Sequence, residues 1–76
     1  MPAFSMKETY LNKEVQIYPG DTYSKFGIVR EINSHGVVFE ITRAEHGASQ
    51  YRVGDLVFIS YSNNLTFKLP AEARNA

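Results

Sequence analysis

The sequence predicts a mainly β fold in which one short helix is followed by five short, strongly bent strands that form a small barrel. Three observations lead to this prediction. From Glu14 onward, apolar residues that are largely β-branched or aromatic alternate with polar ones at period two. Groups of Pro, Gly, Asn and Ser separate these runs, as is typical of turns. Helical spacing occurs only within residues 1–13.

The helix prediction depends on a possible cap and one apolar face. Ser5 can cap the first turn, and Glu8 lies three residues further on, as in a capping box. Met6, Tyr10 and Leu11 would share one face of the helix. We therefore expect a helix of about one to two turns ahead of the sheet.

Turn residues divide the rest of the chain into strands. A Pro-Gly turn at 18–21 ends the first strand, and 33–36 (Asn-Ser-His-Gly) form a tight hairpin turn. Gly27 lies within the second strand, where a missing side chain indicates a bulge or a sharp bend. The predicted strands are residues 15–17, 25–32, 37–42, 51–61 and 65–69. Together they predict an SH3-like or OB-like small barrel.

The last strand is expected to need a partner. Leu65, Phe67 and Leu69 form an apolar edge on which only Lys68 carries a charge, and such an edge pairs readily with another chain. A chain of 76 residues buries only about 60% of its unfolded surface, and small domains often rely on a disulfide, a metal or association. The sequence has no Cys and only two His residues, so we expect no metal and favour self-association.

Composition narrows the class of function. Eight Lys and Arg balance eight Asp and Glu, which argues against a broad basic face for duplex DNA. A small pocket of aromatic, amide and hydroxyl groups can still bind single-stranded RNA. We expect no membrane partner, because no apolar run is long enough to span a bilayer and no signal-peptide pattern is present. The prediction is a cytoplasmic protein.

The sequence gives little support for an enzyme. It contains no Gly-rich phosphate loop, no nucleophile motif and no metal-ligand spacing. His46 follows Glu45 in a polar loop predicted over 44–50, and we interpret this dipeptide as surface. We therefore expect a non-enzymatic protein without a cofactor.

Two segments together resemble a known family. A helix, a strand at 15–17, a Gly turn, a bent strand with Gly27 and a polar tip follow one another in order. The run at 57–67 (VFISYSNNLTF) then joins a hydrophobic triplet, a polar turn and an Asn-Asn-aliphatic start of the last strand. This order resembles the Sm-like (Lsm and Hfq) family over roughly residues 7–69. The resemblance implies one Sm-like domain spanning 1–76, and we expect 70–76 to be a flexible tail.

The resemblance also implies a ring of identical subunits. In that family the fourth strand of one subunit pairs with the fifth strand of the next, and rings contain about five to eight subunits. We favour a pentamer to heptamer. The residues expected at the subunit interface are Phe58, Leu65, Phe67 and Leu69.

The family binds RNA through two turns that surround the pore, and the corresponding residues are identifiable here. Asn33 falls on the position of the family's Asp, and His35 lies near its stacking residue. Tyr61 and Ser62 replace the Arg-Gly pair of the second turn, and Asn63 follows them. The resemblance implies that these five residues hold single-stranded RNA, with U-rich or A-rich sequences expected.

Other readings of the same residues stay open. Asn33 and Asn63 also suit turns, because Asn tolerates positive φ and bonds to its own backbone. His35 could be a solvated turn residue, and Tyr61 could pack in an interface. The domain could accordingly be an SH3-like protein-interaction or assembly module that binds no RNA, or a monomeric barrel from a larger machine.

Overall fold

The computed structural model describes residues 6–20, 25–44 and 50–70. Within these ranges the chain forms one short α-helix, a five-stranded antiparallel sheet and one turn of 3-10 helix. In chain order the elements are α1 (Met6–Tyr10), β1 (Glu14–Ile17), β2 (Lys25–Ile32), β3 (Gly36–Ala44), β4 (Leu56–Ser60), the 3-10 turn (Tyr61–Asn63) and β5 (Phe67–Lys68). The strand order across the sheet is β4-β3-β2-β1-β5.

The mainly β prediction is confirmed, and the early elements lie where the sequence indicates. The second strand has the predicted bounds, and a short helix precedes the sheet. The tight turn between β2 and β3 is also confirmed, since the amide of Asn33 donates to the carbonyl of Gly36 at 3.0 Å. The predicted cap Ser5, the 45–49 part of the polar loop with His46, and the predicted tail at 71–76 lie outside the described residues.

The fourth and fifth strands are shorter than predicted. β4 has five residues, because the chain turns at Gly54, whose φ is +95°, a conformation that favours glycine. Asp55 closes that turn by two hydrogen bonds to the backbone of Arg52. Its Oδ2 accepts from the Arg52 amide at 3.1 Å, and its own amide donates to the Arg52 carbonyl at 3.0 Å. At the other end, Tyr61 begins the 3-10 turn instead of continuing β4. Only Phe67–Lys68 form β5, although the amide of Tyr18 also donates to Thr66 O at 2.8 Å.

The sheet is open, so the predicted closed barrel is not confirmed. β4 and β5 are its two edges and do not pair with each other. The sheet is nevertheless strongly curved. In a flat sheet β5 would lie about 14 Å from β3, three strand spacings away. The rings of Phe67 and Phe39 instead meet edge to face, with centroids 5.5 Å apart.

Gly27 explains much of this curvature. The β2–β3 register shifts between Phe26 and Gly27, and again between Val29 and Glu31, which confirms the predicted bulge. A Cβ at Gly27 would lie 2.9 Å from the carbonyl oxygen of Glu40. The two strands can approach this closely because position 27 has no side chain.

The core lies on the concave side of the curved sheet. Its buried residues come from β1 to β4 and are Val15, Ile17, Val29, Ile32, Val37, Phe39, Ile41 and Ile59. Tyr10 and Leu11 pack against this core from the end of the helix, and the Tyr10 ring meets Phe67 at 4.9 Å. Burial of each such aliphatic or aromatic side chain contributes about 1.5–3 kcal/mol.

Gly36 provides a test of how the β2–β3 turn fits against β4. A Cβ at this position would clash with Ile59 O, and would lie 2.8 Å from Phe58 Cζ and 2.9 Å from Ser60 Cα. We expect Gly36→Ala to lower the free energy of unfolding by about 3 kcal/mol, because the backbone of β4 must move. Urea denaturation measures the change.

The matched control is Ser34→Ala in the same turn, where the side chain is exposed. It should change the free energy of unfolding by less than about 0.5 kcal/mol. Equal stability of Gly36→Ala and Ser34→Ala would contradict the close approach seen at Gly36.

Candidate functional site

The two polar turns singled out in the sequence lie side by side. The Tyr61 hydroxyl donates to the carbonyl of Asn33 at 2.7 Å, and the Tyr61 amide donates to the carbonyl of His35 at 3.1 Å. Ser62 and Asn63 follow Tyr61 in the 3-10 turn. The structure therefore brings these five residues to one end of the β3–β4 pair, and we call them the polar tip.

Asn33 organises the first turn. Its Oδ1 accepts hydrogen bonds from the amides of His35 and Gly36, at 2.8 and 3.1 Å. Its Nδ2 donates to the Glu31 carboxylate at 3.0 Å. The Asn33 carboxamide thus performs the turn chemistry proposed from the sequence, which leaves one N–H of Nδ2 without a partner among the described residues.

Serine hydroxyls fix the start of the second turn. Ser60 caps the 3-10 turn, because its Oγ accepts from the Ser62 amide at 3.2 Å. The hydroxyls of Ser60 and Ser62 are also 2.9 Å apart. The Tyr61 ring is held at its hydroxyl end, but the residue remains 40% exposed. Part of its ring is therefore open to a stacking partner.

Tyr18 ties the end of the second turn to the body of the domain. Its hydroxyl donates to the carbonyl of Asn63 at 2.9 Å, although the two residues are far apart in sequence. Asn64 then leaves the turn with a φ of +56°, a left-handed conformation that Asn tolerates. Among the described residues, neither the imidazole of His35 nor the carboxamide of Asn63 has a hydrogen-bond partner.

The charge near the polar tip is negative. Glu31 is exposed and bonds Asn33 directly. Arg30 is paired instead with Glu40 at 2.7 Å, and Arg43 is paired with Glu14 at 3.4 Å. Both pairs join residues of different strands and are partly exposed to solvent. In the described ranges, no Lys or Arg bonds a residue of the polar tip.

The open edge of β4 adjoins this tip. In an antiparallel pair, alternate residues bond the neighbouring strand and the residues between them direct their backbone groups away. The amide of Tyr61 donates to the carbonyl of His35, and the carbonyl of Asp55 accepts from the amide of Ile41. The odd-numbered residues along β4 therefore direct their backbone groups to β3. Leu56, Phe58 and Ser60 therefore offer their N–H and C=O groups to the open edge.

The same alternation applies at the β5 edge. The carbonyl of Thr66 accepts from the amide of Tyr18, and Lys68 lies opposite Gln16 in the β1–β5 register. The even-numbered residues of this segment therefore direct their backbone groups toward β1. Phe67 directs its backbone groups to the open edge, and Leu65 and Leu69 hold the same positions in the alternation. All three side chains are half-buried against the core of their own subunit.

The predicted interface residues thus fall into two kinds. Phe58 is 51% exposed, whereas Leu65, Phe67 and Leu69 are packed inward and offer mainly backbone groups. Leu56, which was not predicted, is 68% exposed on the same face of β4 as Phe58. Alternation within β4 could have identified it.

Two residues of the site itself were also missed. Glu31 lies two residues before Asn33, a spacing that puts neighbouring side chains of an extended chain on one face. Tyr18 gives no such signal, because its contact with Asn63 joins distant parts of the chain.

Other kinds of site find no support in the described part of the chain. No group of three or more His, Cys, Asp or Glu side chains there could hold a metal ion. No helix there has the length and apolar composition needed to cross a membrane.

Comparison of the chain with protein-family models, curated proteins and solved structures finds no match.

The Tyr61 hydroxyl provides a test of how the two turns are joined. We expect Tyr61→Phe to lower the free energy of unfolding by about 1 kcal/mol, because the bond to Asn33 O is lost while the ring remains. The amides of His35 and Gly36 should then exchange faster with solvent. Urea denaturation and amide hydrogen exchange measure the two effects.

Tyr51→Phe is the matched control, since no hydrogen bond of the Tyr51 hydroxyl is found within the described ranges. It should leave both readouts within error of the wild type. Unchanged exchange at His35 and Gly36 in Tyr61→Phe would show that the hydroxyl does not hold the turns together.

Proposed function

We propose that this chain is the subunit of a homo-oligomeric, Sm-like ring that binds single-stranded RNA at its pore and has no catalytic activity. The observation that carries the proposal is the strand order. It leaves β4 and β5 as two unlike open edges of one sheet, with the polar tip adjoining β4. In this proposal the curved sheet is a small SH3-like barrel of the Sm type, completed by its neighbours.

Two unlike edges favour a ring over a two-fold dimer. Pairing β4 of one subunit with β5 of the next leaves the growing assembly with one free β4 edge and one free β5 edge. The contact therefore repeats, and it forms a ring when the rotation between neighbouring subunits closes. Closure removes every exposed sheet edge, which protects the assembly from uncontrolled strand pairing. The preferred ring sizes, pentamer to heptamer, come from the resemblance to the Sm-like family.

The proposed ring needs a register that pairs the free backbone groups of the two edges. An antiparallel register places Phe58 opposite Phe67 of the partner subunit, with Leu56 and Ser60 flanking it opposite the partner's Leu69 and Leu65. Side chains directly opposite one another lie on the same side of a sheet. Leu56 and Phe58, exposed in the isolated subunit, therefore join the inward-packed side chains of the neighbour.

Ring assembly would repeat the polar tip around a central opening. Each subunit then offers the exposed part of the Tyr61 ring and the imidazole of His35 as stacking surfaces, and the Asn63 carboxamide as a hydrogen-bonding group. Base stacking on such side chains contributes about 1–3 kcal/mol per base. Several repeated sites can bind RNA without a strongly basic surface.

One observation favours a second candidate, an assembly module that binds protein and not RNA. The Glu31 carboxylate is hydrogen-bonded to the polar tip, whereas Arg30 and Arg43 are already paired with carboxylates elsewhere. Repeated around a ring, this carboxylate would repel phosphate groups. The RNA-binding measurement below separates the two candidates.

Phe58 provides the test of assembly. Wild-type protein should have the particle mass of about five to eight subunits, and Phe58→Lys should be monomeric, because a charge replaces the apolar contact at the β4 edge. Light scattering after size-exclusion chromatography measures the mass, and circular dichroism checks the fold.

Val53→Ser is the matched control, because Val53 is 71% exposed but lies before β4. It should assemble like the wild type. A monomeric wild-type protein at high concentration would contradict the ring, and an intact oligomer in Phe58→Lys would contradict the β4 interface.

RNA binding is tested by fluorescence anisotropy with short single-stranded homopolymers in low salt. We expect micromolar or tighter binding by the wild type, and a loss of about tenfold or more per stacked base in Tyr61→Ala. Particle mass is measured on the same samples. Loss of RNA binding with an intact oligomer supports the proposal, whereas an oligomer that binds no RNA supports the assembly module.

A further inference from the structure

Glu31 gives the polar tip a fixed acceptor that the proposed RNA site has to accommodate. It lies near the end of β2 with its side chain exposed, and its Oε2 is 3.0 Å from Asn33 Nδ2. Asn33 is in turn bonded to Tyr61 through its own carbonyl. The carboxylate is therefore part of the same hydrogen-bonded group as the stacking ring.

The orientation of the Asn33 carboxamide follows from its bonds. Two backbone amides point at one end of the group, so that end is the oxygen, and the nitrogen faces Glu31. The tip consequently presents a carboxylate beside an amide nitrogen with one N–H to spare. The Glu31 carboxylate itself offers only hydrogen-bond acceptors.

The four RNA bases differ in what they offer to such an acceptor. Adenine, cytosine and guanine each carry an exocyclic amino group, and carboxylates accept well from such groups, as from the N4 amino group of cytosine. Uracil has no amino group. Its single N3–H lies between two carbonyl oxygens, which a carboxylate repels.

We propose that Glu31 makes the polar tip discriminate against uracil and select bases that carry an exocyclic amino group. The inference rests on the proposed function, because it assigns a base preference to the same RNA site. The Glu31 carboxylate accepts from the amino group, and the remaining Asn33 N–H donates to the ring nitrogen beside it in adenine or cytosine. The base stacks on Tyr61.

The charge of Glu31 affects affinity and selectivity in different ways. Repulsion between the carboxylate and the phosphates depends on the number of phosphates, and is equal for oligonucleotides of equal length. It lowers the affinity for every sequence alike. The ratio of affinities for two homopolymers therefore reports the contact with the base.

Cytidine and uridine hexamers form the sharpest comparison. Both are pyrimidine strands of equal charge, and they differ at the base edge that Glu31 would contact. We expect the wild-type oligomer to bind the cytidine hexamer about tenfold more tightly than the uridine hexamer, measured by fluorescence anisotropy. Glu31→Gln should bring the ratio close to one, since its amide can both donate and accept, and should raise the affinity for uridine most.

Glu40→Gln is the matched control, because it removes the same charge from β3, several residues from the turn. It should keep the cytidine preference. Particle mass and circular dichroism confirm that each variant is assembled and folded.

The possible results separate the two proposals. Equal binding of both hexamers by the wild type, or tighter binding of uridine, overturns the role of Glu31 while RNA binding stands. A cytidine preference that persists in Glu31→Gln also overturns it. Failure of the wild type to bind either hexamer overturns both the proposed function and this inference.

Discussion

The rest of the structure depends on the bend that β2 and β3 make around Gly27. Because no side chain separates this position from the Glu40 carbonyl, the strands approach closely and their register shifts. The resulting curvature brings Phe67 of the last strand onto Phe39 of the third, with ring centroids 5.5 Å apart. In a flat sheet the strands that carry these rings would lie about 14 Å apart, and one face of the core would be open.

The same curvature determines what the domain presents to its surroundings. When β5 folds over the core, the side chains of Leu65, Phe67 and Leu69 pack inside the subunit, and their backbone groups stay at the open edge of the sheet. β4 has the complementary arrangement, with exposed side chains at Leu56 and Phe58. The β4 edge thus exposes apolar side chains, whereas the β5 edge exposes mainly backbone groups.

Much of the fold follows from local patterns in the sequence. Alternation at period two and the Gly27 interruption locate β2 and its bulge, because both depend on residues adjacent in the chain. The ends of β4 were harder to predict. The positive φ of Gly54, the Asp55 turn and the Ser60 cap compete with an apolar run that by itself indicates a longer strand.

The candidate site also has features that the sequence predicts and contacts that it does not. Both of its turns are visible as polar segments, but their contact through Tyr61 and Asn33 joins residues that only the folded sheet brings together. The hydrogen bond from Tyr18 to Asn63 is likewise non-local. Glu31 sets the charge of the site, and its two-residue spacing to Asn33 places the two side chains on one face, but the hydrogen bond between them depends on side-chain geometry.

The brevity of β5 has a consequence for how the subunit would behave alone. Two paired residues give this strand few backbone bonds of its own, so it is held largely by the packing of Leu65, Phe67 and Leu69 against the core, which includes the ring contacts of Phe67 with Tyr10 and Phe39. Docking of a second copy would add bonds along the free side of this strand and hold it from both directions. Thermal stability would then rise with protein concentration, because folding and association would be one linked equilibrium.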